Sequence, residues 1–509
     1  MKILDCTIRD GGYYTNWDFT EATAKEYVES LNDLPIDYIE IGYRSTPASG
    51  YYGMYYYCPQ YVVEEIKKNS NKKLAIMINE KAVDSNDAKE LLTPLIGFVD
   101  MIRLAVNPTN LDRAIKLAIF IKNMGFEIGF NVMYMSKWLE DKEFIGRISN
   151  VDGVVDYFYM VDSYGGVYPR DIEEIFKMVK SKTDVKIGFH GHNNLELALI
   201  NTLTAIDCGV DMVDATITGM GRGAGNLKTE LLLTALNQKG HLEFDYNVLS
   251  RVVDHFSNIQ KYYEWGTNLP YMVSGANSLP QKEVMEWVGK RFYSYNSIIR
   301  ALTNQSKGIK DNLELDYFDP THKSSKVMII GGGPSGTEHA QAVNEYLNEN
   351  LEVNVIHASS RNAKSYNRIL NKQIHCLSGN EGYRLESTFK NMEIDNRIAI
   401  LPPYPRFMGT YIPKLFNDSA FQLKKISFTD EYLDSVTAVS IQTALDLGAK
   451  EIIFVGYDGY KDEVNTNELE LFNENERLFS KLKETNTKVI SMTKTNYQEL
   501  ALSSIYAYI

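Results

Sequence analysis

Short apolar runs alternate with longer amphipathic stretches through the first half of the chain. Strand-like runs fall at 2–9, 36–43, 73–79, 99–106, 127–134, 154–162, 185–192 and 212–219. Between them apolar residues return every three or four positions, as one face of a helix requires. The pattern is clearest in Thr20–Leu34, Leu111–Met124, Asp171–Lys180, Leu195–Cys208 and Leu227–Lys239. Eight such units in order predict a closed parallel (β/α)8 TIM barrel over residues 1–239, with its chemistry at the carboxyl ends of the strands.

The pattern then changes twice. Residues 240–305 are helical and aromatic-rich, as in Tyr262-Tyr263-Glu264-Trp265, and predict a helical extension. Packing against the barrel is the favoured role for it, ahead of a lid. Residues 306–325 are polar and read as a linker. From 326 to 509 a second α/β pattern begins, with a strand at Lys326–Ile330, the turn Gly331-Gly332-Gly333-Pro334-Ser335-Gly336 and a helix to about Leu347. Glycines between strand and helix let a backbone approach phosphate, so Gly331, Gly333, Ser335 and Gly336 are candidate nucleotide-binding residues of a Rossmann-like open α/β domain. The alternative is a structural turn without a ligand. The run Leu351–His357 ends in Ala358-Ser359-Ser360-Arg361 rather than in an acid, which argues against NAD and FAD, although Ser360 and Arg361 suit a 2'-phosphate. Further strands at Arg397–Leu401 and Glu451–Val455, the latter leading into Gly456-Tyr457-Asp458-Gly459, complete this domain.

A chain of 509 residues with 44% hydrophobic content exceeds one ordinary core, in keeping with two or more domains. The net charge of −13 opposes binding to nucleic acid. The four cysteines, 6, 58, 208 and 376, lack the spacing of a disulfide framework or a thiolate zinc site. No apolar run is long enough to span a membrane, and Met1-Lys2-Ile3 enters the first strand directly, which leaves no room for a signal peptide. A cytoplasmic protein is expected.

Candidate chemistry gathers at the expected strand ends. Gly188-Phe189-His190-Gly191-His192-Asn193 puts two imidazoles on one side of a strand, because side chains repeat with a period of two. The first strand runs into Arg9-Asp10-Gly11-Gly12, and closure makes strands one and eight neighbours, so Asp10 can meet the histidines across the mouth. Two histidines and an aspartate suit a divalent cation with open positions. Taken singly, the Arg-Asp pair also reads as a structural ion pair and the His-x-His as a packed polar pair. Glu40, Arg103 and Asp162 fall at or near the same ends.

In this arrangement the chain resembles the metal-dependent aldolases and lyases related to 4-hydroxy-2-oxovalerate aldolase and hydroxymethylglutaryl-CoA lyase. The resemblance rests on Leu4 to Gly12, Ile39-Glu40-Ile41-Gly42, Asp162-Ser163-Tyr164-Gly165, Gly188 to Asn194 and Gly219-Met220-Gly221-Arg222-Gly223-Ala224-Gly225-Asn226. It implies a carbon–carbon lyase in which Asp10, His190 and His192 hold a divalent metal, with Asn226 as a further ligand in some members. It also implies catalytic roles for Arg9 and Glu40. Arg103, Asp162 and Ser163 are candidates for substrate contact or, equally, internal ion pairs and support. Mn or Mg is expected from hard donors and a chelating oxo acid, with Zn or Co as alternatives. The implied substrates are a 2-oxo acid and an aldehyde, joined or parted through a metal-stabilised enolate, and a homo-oligomer is expected.

One departure stands out. The aldolases carry a catalytic His shortly after Arg-Asp-Gly, where this chain has Gly12-Tyr13-Tyr14. A phenol titrates near 10 and is a poor base at neutral pH, so Tyr13 is expected as a hydrogen-bond donor or acid. The Gln or Glu-Gln of acyl-CoA-using relatives is also missing, which lowers the alternative of a Claisen-type condensing enzyme. A further alternative is a non-catalytic barrel fused to a nucleotide-sugar-binding domain for surface-glycan biosynthesis, since the Gly-Gly-Gly-Pro-Ser start and Gly-Tyr-Asp ending look like Rossmann-like domains of surface-glycan proteins and pterin pyrophosphokinase-like enzymes.

Overall fold

Eight parallel strands close into a barrel in the computed structural model: β1 (Lys2–Asp5), β2 (Tyr38–Tyr43), β3 (Lys73–Asn79), β4 (Met101–Val106), β5 (Glu127–Val132), β6 (Tyr157–Asp162), β7 (Lys186–Gly191) and β8 (Met212–Ala215). Closure comes from β1, which pairs with β2 on one side and with β8 on the other. The strand period of two sorts the side chains. Leu4, Tyr38, Ala75, Met101 and Met212 fill the barrel, while Ile3, Ile39, Leu74, Ile102 and Val213 face the surrounding helices. The structure describes residues 1–289, 293–310, 312–320, 323–379, 381–390, 396–406, 411–460 and 466–509. Residues 290–292 of the expected extension and 311, 321 and 322 of the expected linker lie outside the described residues.

The first strand is shorter than its apolar pattern predicts. It stops at Asp5, and Thr7–Thr15 is a helix that carries Arg9 and Asp10 in its first turns. The cause is local: the Asp5 carboxylate accepts the Thr7 N–H at 3.0 Å and the Thr7 hydroxyl at 2.5 Å, turning the chain. The eighth strand likewise ends at Ala215, and Ile217–Gly219 forms a 3-10 turn instead of the expected extension to 219.

The chain divides into two compact units, Met1–Met285 and Glu286–Ile509. In the second, strands β9 (Lys326–Ile330), β10 (Asn354–His357), β11 (Gln373–Cys376), β12 (Arg397–Leu401), β13 (Ala420–Gln422), β14 (Glu451–Val455), β15 (Lys488–Ser491) and β16 (Ala501–Leu502) make one open parallel sheet. Its order is β13-β12-β11-β10-β9-β14-β15-β16. The chain therefore runs outward from β9 to one edge, then returns beside β9 and runs to the other. Between β9 and β14 lies the reversal at which open α/β sheets form ligand crevices. Among the described residues no helix is long and apolar enough to cross a membrane.

In this second core, two histidines sit face to face. His357 and His375 are register partners on β10 and β11, with ring centroids 4.5 Å apart and planes 8° from parallel. The His357 Nε2–H donates to Gln373 Oε1 at 2.8 Å, and His375 Nε2 accepts from Arg397 Nη1 at 2.8 Å. Burial pushes His357 down to about 3 and, with the neighbouring His357 and Arg397, pushes His375 well below its ordinary value. Both rings thus stay neutral in the folded state and take up protons when unfolded, so stability is full above about pH 6.5 and falls as pH drops toward 3. By pH 5 the penalty for His357 alone reaches about 2 kcal/mol. The melting temperature of the second unit should fall between pH 7 and pH 5 in calorimetric scans, and less steeply in His375→Phe. Equal slopes for wild type and variant would count against this origin of acid sensitivity.

Candidate active site

The short β1 and the helix after it bring Arg9 and Asp10 over the mouth of the barrel. Asp5 anchors the turn: besides Thr7 it accepts the Tyr27 hydroxyl at 2.6 Å and the Thr229 hydroxyl at 2.5 Å. The Trp17 indole N–H donates to the Arg9 carbonyl at 2.8 Å, fixing the helix from its outer side. Across the mouth, β7 delivers His190 and, one residue past its end, His192. The ligand atoms of Asp10, His190 and His192 all lie within 4.8 Å of one another.

Beneath them runs a closed circuit of buried charge. Arg9 pairs with Asp10 through Nη1 and with Glu40 Oε2 through Nε at 2.6 Å. Arg103 donates to the same Glu40 oxygen at 3.1 Å and to Asp214 Oδ2 at 2.5 Å. Asp214 Oδ2 lies 2.8 Å from His190 Nδ1, and His190 Nε2 is 3.6 Å from Asp10 Oδ2, which closes the ring. Three carboxylates meet two guanidinium groups, so negative charge is in excess unless an imidazole is protonated or a cation is bound.

The donors are prepared for such a cation. Nδ1–H of His190 faces the Asp214 carboxylate, and Nδ1–H of His192 donates to the Asp162 carbonyl at 2.7 Å, which fixes both rings by their far nitrogens. Burial, reinforced by neighbouring His190, pushes His192 down to about 4, the neutral form that ligates metals. Burial pushes the Asp10 carboxyl up, but Arg9, His190, His192 and a hydrogen bond from Asn226 together hold it below its ordinary value. That bond, from Asn226 Nδ2 to Asp10 Oδ2, is 2.6 Å long, and Asn226 Oδ1 is buried without a partner. An orphaned carbonyl oxygen beside two imidazoles and a carboxylate fits a divalent cation. Asn226 is delivered by a loop at which Gly225 has φ +81°, and a Cβ there would run into the Gly219 carbonyl.

A cavity of about 140 Å³ opens above these donors. Of the residues singled out in the sequence, Arg9, Asp10, Tyr13, Ser163, His190 and His192 line it. Glu40 and Arg103 do not: both are fully buried, with Arg103 stacked 4.1 Å from the Tyr159 ring and its amino groups committed to Glu40 and Asp214. Its geometry is that of an internal support rather than a substrate contact. Asp162 also points away, accepting the backbone N–H groups of Gly166 and Val167, and burial raises it to about 6 against those bonds. Tyr13 reaches the cavity with its hydroxyl 3.2 Å from that of Tyr43 and its ring edge-on to Trp17.

Sequence reading missed Asp214, Asn131, Tyr43 and Gln281, and gave Arg222 no role beyond its place in the Gly219 to Asn226 motif. Asp214 in Met212-Val213-Asp214-Ala215 and Asn131 in Phe130-Asn131-Val132 are polar residues inside apolar strands, a signal available in principle. Arg222 lines the cavity with its guanidinium 5.4 Å from the Tyr13 ring centroid. Gln281 comes from the helical extension, held by Asn194 Nδ2 at 3.0 Å and by the Ser274 hydroxyl at 3.0 Å, so that segment does contribute to the wall of the cavity.

Residues 1–262 match the HMGL-like family. The chain belongs to that family. Members of the HMGL-like family are lyases. Over 47% of its length the chain is 31% identical to oxaloacetate decarboxylase of Mycobacterium tuberculosis and 30% identical to 4-hydroxy-2-oxovalerate aldolase of Geobacillus genomosp. 3, covering 71% of each. A crystal structure of the N-terminal domain of a Bacteroides vulgatus protein described as an aldolase is 56% identical, with a TM-score of 0.57, and matches 59% of this chain and 100% of its own. The family match ends at residue 262, and the second sheet is read from its own geometry.

There, a cavity of about 400 Å³ sits at the carboxyl ends of β9, β10, β11 and β14. Gly331 and Gly333 line it, whereas Ser335 and Gly336 do not. The room the glycines leave is taken by the chain itself. A Cβ at Gly331 would meet the Gly456 carbonyl and the Tyr457 ring, and one at Gly333 would overlap the Asp458 carboxylate, which also accepts the Ser335 N–H at 3.3 Å.

The buried circuit gives a stability prediction. Arg103→Leu leaves Glu40 and Asp214 without their shared cation and should cost about 3–5 kcal/mol in denaturant unfolding of the first unit. A loss under about 1 kcal/mol, with unaltered fold, would show that Arg103 is not the support its contacts describe.

Proposed function

We propose that the barrel is a divalent-metal-dependent aldolase that makes or breaks a carbon–carbon bond of a 2-oxo acid through its enolate. The observation that carries the reading is the convergence of Asp10, His190 and His192 on one point beneath a cavity that also presents Arg9 and Tyr13. When bound by these three residues and Asn226, a divalent cation supplies Lewis-acid polarisation of the keto oxygen.

The chain's own groups supply the rest. Arg9, held by Asp10 and Glu40, keeps a fixed cation where negative charge grows on the oxo acid, and costs no reorganisation as it grows. Glu40 and Asp214 keep Arg9, Arg103 and His190 in position. In cleavage, the substrate's hydroxyl proton passes to solvent water as the aldehyde carbonyl forms, and the electron pair of the adjacent carbon–carbon bond moves into the 2-oxo acid's enolate. The aldehyde leaves, and the enolate takes a proton at carbon from a donor that is then reprotonated from solvent. Tyr13, bonded to Tyr43, is the phenol placed to deliver a proton in this cycle. Arg222 gives an anionic group on the aldehyde partner a counter-charge at the cavity rim. Tyr134, Tyr164 and Gln281 wall the site against water. All four cysteines are unpaired, which suits a reducing, cytoplasmic setting. The second unit is read as binding a nucleotide or nucleotide-sugar, supported by the cavity at its topological reversal.

With Mn or Mg added, the protein should exchange the methyl hydrogens of pyruvate for deuterium, followed by NMR. His190→Ala/His192→Ala should abolish both exchange and stoichiometric metal uptake; full metal occupancy in that variant would sink the site assignment. For Tyr13→Phe we expect exchange slower by about 10²-fold or more with metal affinity unchanged. A silent Tyr13→Phe would move the proton-transfer role to another group.

A further inference from the structure

We infer that the second unit binds the diphosphate of a nucleotide or nucleotide-sugar through Arg361 and Arg384, and not at its glycine turn. The inference rests on the reading that this unit holds a phosphate-bearing ligand, and it assigns the anion to different residues. The glycine turn is already occupied: the Asp458 carboxylate fills the space beside Gly333 and takes the Ser335 N–H. The helix that follows, Ser335–Glu338, is a single turn with little dipole to offer. A phosphate placed there would meet a carboxylate.

Positive charge lies instead on the β10 and β11 side. Arg361 follows β10 and Arg384 sits on the helix after β11, and both line the 400 Å³ cavity. An adjoining open groove of about 640 Å³ is lined by the same two side chains together with Arg300 and Tyr383. In a chain of net charge −13, this is a local concentration of cations. The pair is also built. One oxygen of Glu381 accepts the Ser360 N–H at 2.8 Å, beside Arg361, and the other accepts from Arg384 at 2.7 Å, while Arg361 Nη1 donates to the Gly332 carbonyl at 3.3 Å. Glu381 thus ties Arg384 to the backbone beside Arg361. Asp434 and Asp458 also line the cavity, so the positive edge lies at the groove, where Arg300, Arg361 and Arg384 meet with no acid among the described residues of the lining. Guanidinium forks match phosphate oxygens two at a time, and two of them suit a diphosphate.

Across β9 the lining turns to acceptors. Asp458 and Asn475 line the β14 side, and Asn475 is 4% exposed with its Oδ1 buried and unpartnered while its Nδ2 donates to Tyr497 at 2.9 Å. An unpartnered acceptor and a carboxylate call for hydroxyl donors, as on a ribose or hexose. The cavity thus wants a ligand with an anionic diphosphate at one end and hydroxyls at the other, and its volume lies in the range of small-molecule sites.

The test is calorimetric titration of the full chain at low ionic strength with inorganic pyrophosphate, UDP and ADP, each repeated with Arg361→Gln, Arg384→Lys, Arg384→Gln and, as a distant surface control, Lys483→Gln. We expect wild type and Lys483→Gln to bind at least one nucleoside diphosphate more tightly than pyrophosphate. Arg361→Gln and Arg384→Gln should each weaken that binding by about tenfold or more, with Arg384→Lys intermediate. Circular dichroism melts identify any variant that fails to fold, and Arg384→Lys keeps the charge that Glu381 pairs with. If wild type binds a diphosphate and the arginine variants bind equally well, the location is wrong while the phosphate reading stands. If wild type binds none of the three, both fall.

Discussion

Everything at the barrel mouth depends on one ring of buried charge: Asp10, Arg9, Glu40, Arg103, Asp214 and His190. Its members come from the helix after β1 and from β2, β4, β8 and β7, so every bond but Arg9–Asp10, which lies within one helix, ties one wall of the barrel to another. Ions this deep repay their desolvation only where geometry is good and every charge has a partner. The ring gives each charge a partner by sharing: Glu40 serves two arginines through one oxygen, and Asp214 serves an arginine and an imidazole, while Glu40 Oε1, Arg103 Nε and Asp214 Oδ1 stay buried without a hydrogen bond. Removing any member strands at least one charge, which makes the ring rigid. Rigidity is what a site needs if it is to present fixed charge to a substrate.

The fold was legible because its signal repeats. Eight strand runs with helices between them leave few alternatives, and Lys73–Asn79, Arg397–Leu401 and Glu451–Val455 agree with the apolar pattern to the residue. Errors fell where polar chemistry overrides periodicity. Ile3 to Ile8 reads as continuous strand, yet the Asp5 carboxylate turns the chain through Thr7. The same turn sets Arg9 and Asp10 on a helix rather than at a strand end, so the motif was found while its local structure was misjudged. Short strands such as Ala420–Gln422 and Ala501–Leu502 carry too few residues to show a period at all.

The site was legible where several chemical residues crowd one stretch, as in Arg9-Asp10 and His190-Gly191-His192. It was obscure where a lone polar residue interrupts an apolar strand. Asp214 is such a residue, and its partners, Arg103 and His190, are distant in sequence and meet it only once the barrel closes. Arg103 shows the converse. A cation near a strand end reads equally as a carboxylate binder or an internal ion-pair member, and its full burial and its stack on Tyr159 are properties of the interior. Sequence position places a side chain at a strand end; only the alternation of the neighbouring strands decides whether it points up to the mouth or down into the layer beneath.

The two units gather buried and half-buried charge at the same end of their strands. In the barrel, carboxylates outnumber guanidinium groups beneath the imidazoles, and the unpartnered Asn226 oxygen adds another acceptor, an arrangement whose excess of negative charge suits a cation. In the open sheet, the acids Glu381, Asp434 and Asp458 line the cavity, while Arg300, Arg361 and Arg384 gather along the adjoining groove without an acid among its described lining residues. Both follow from parallel strands that end together: loops at the carboxyl edge converge, and polar groups there can face a cavity while the strands themselves remain apolar. Where the charges fall is then decided by the loops that deliver them, and glycines serve mainly to let those loops pack closely enough, as Gly225 does beside Gly219 and Gly333 beside Asp458.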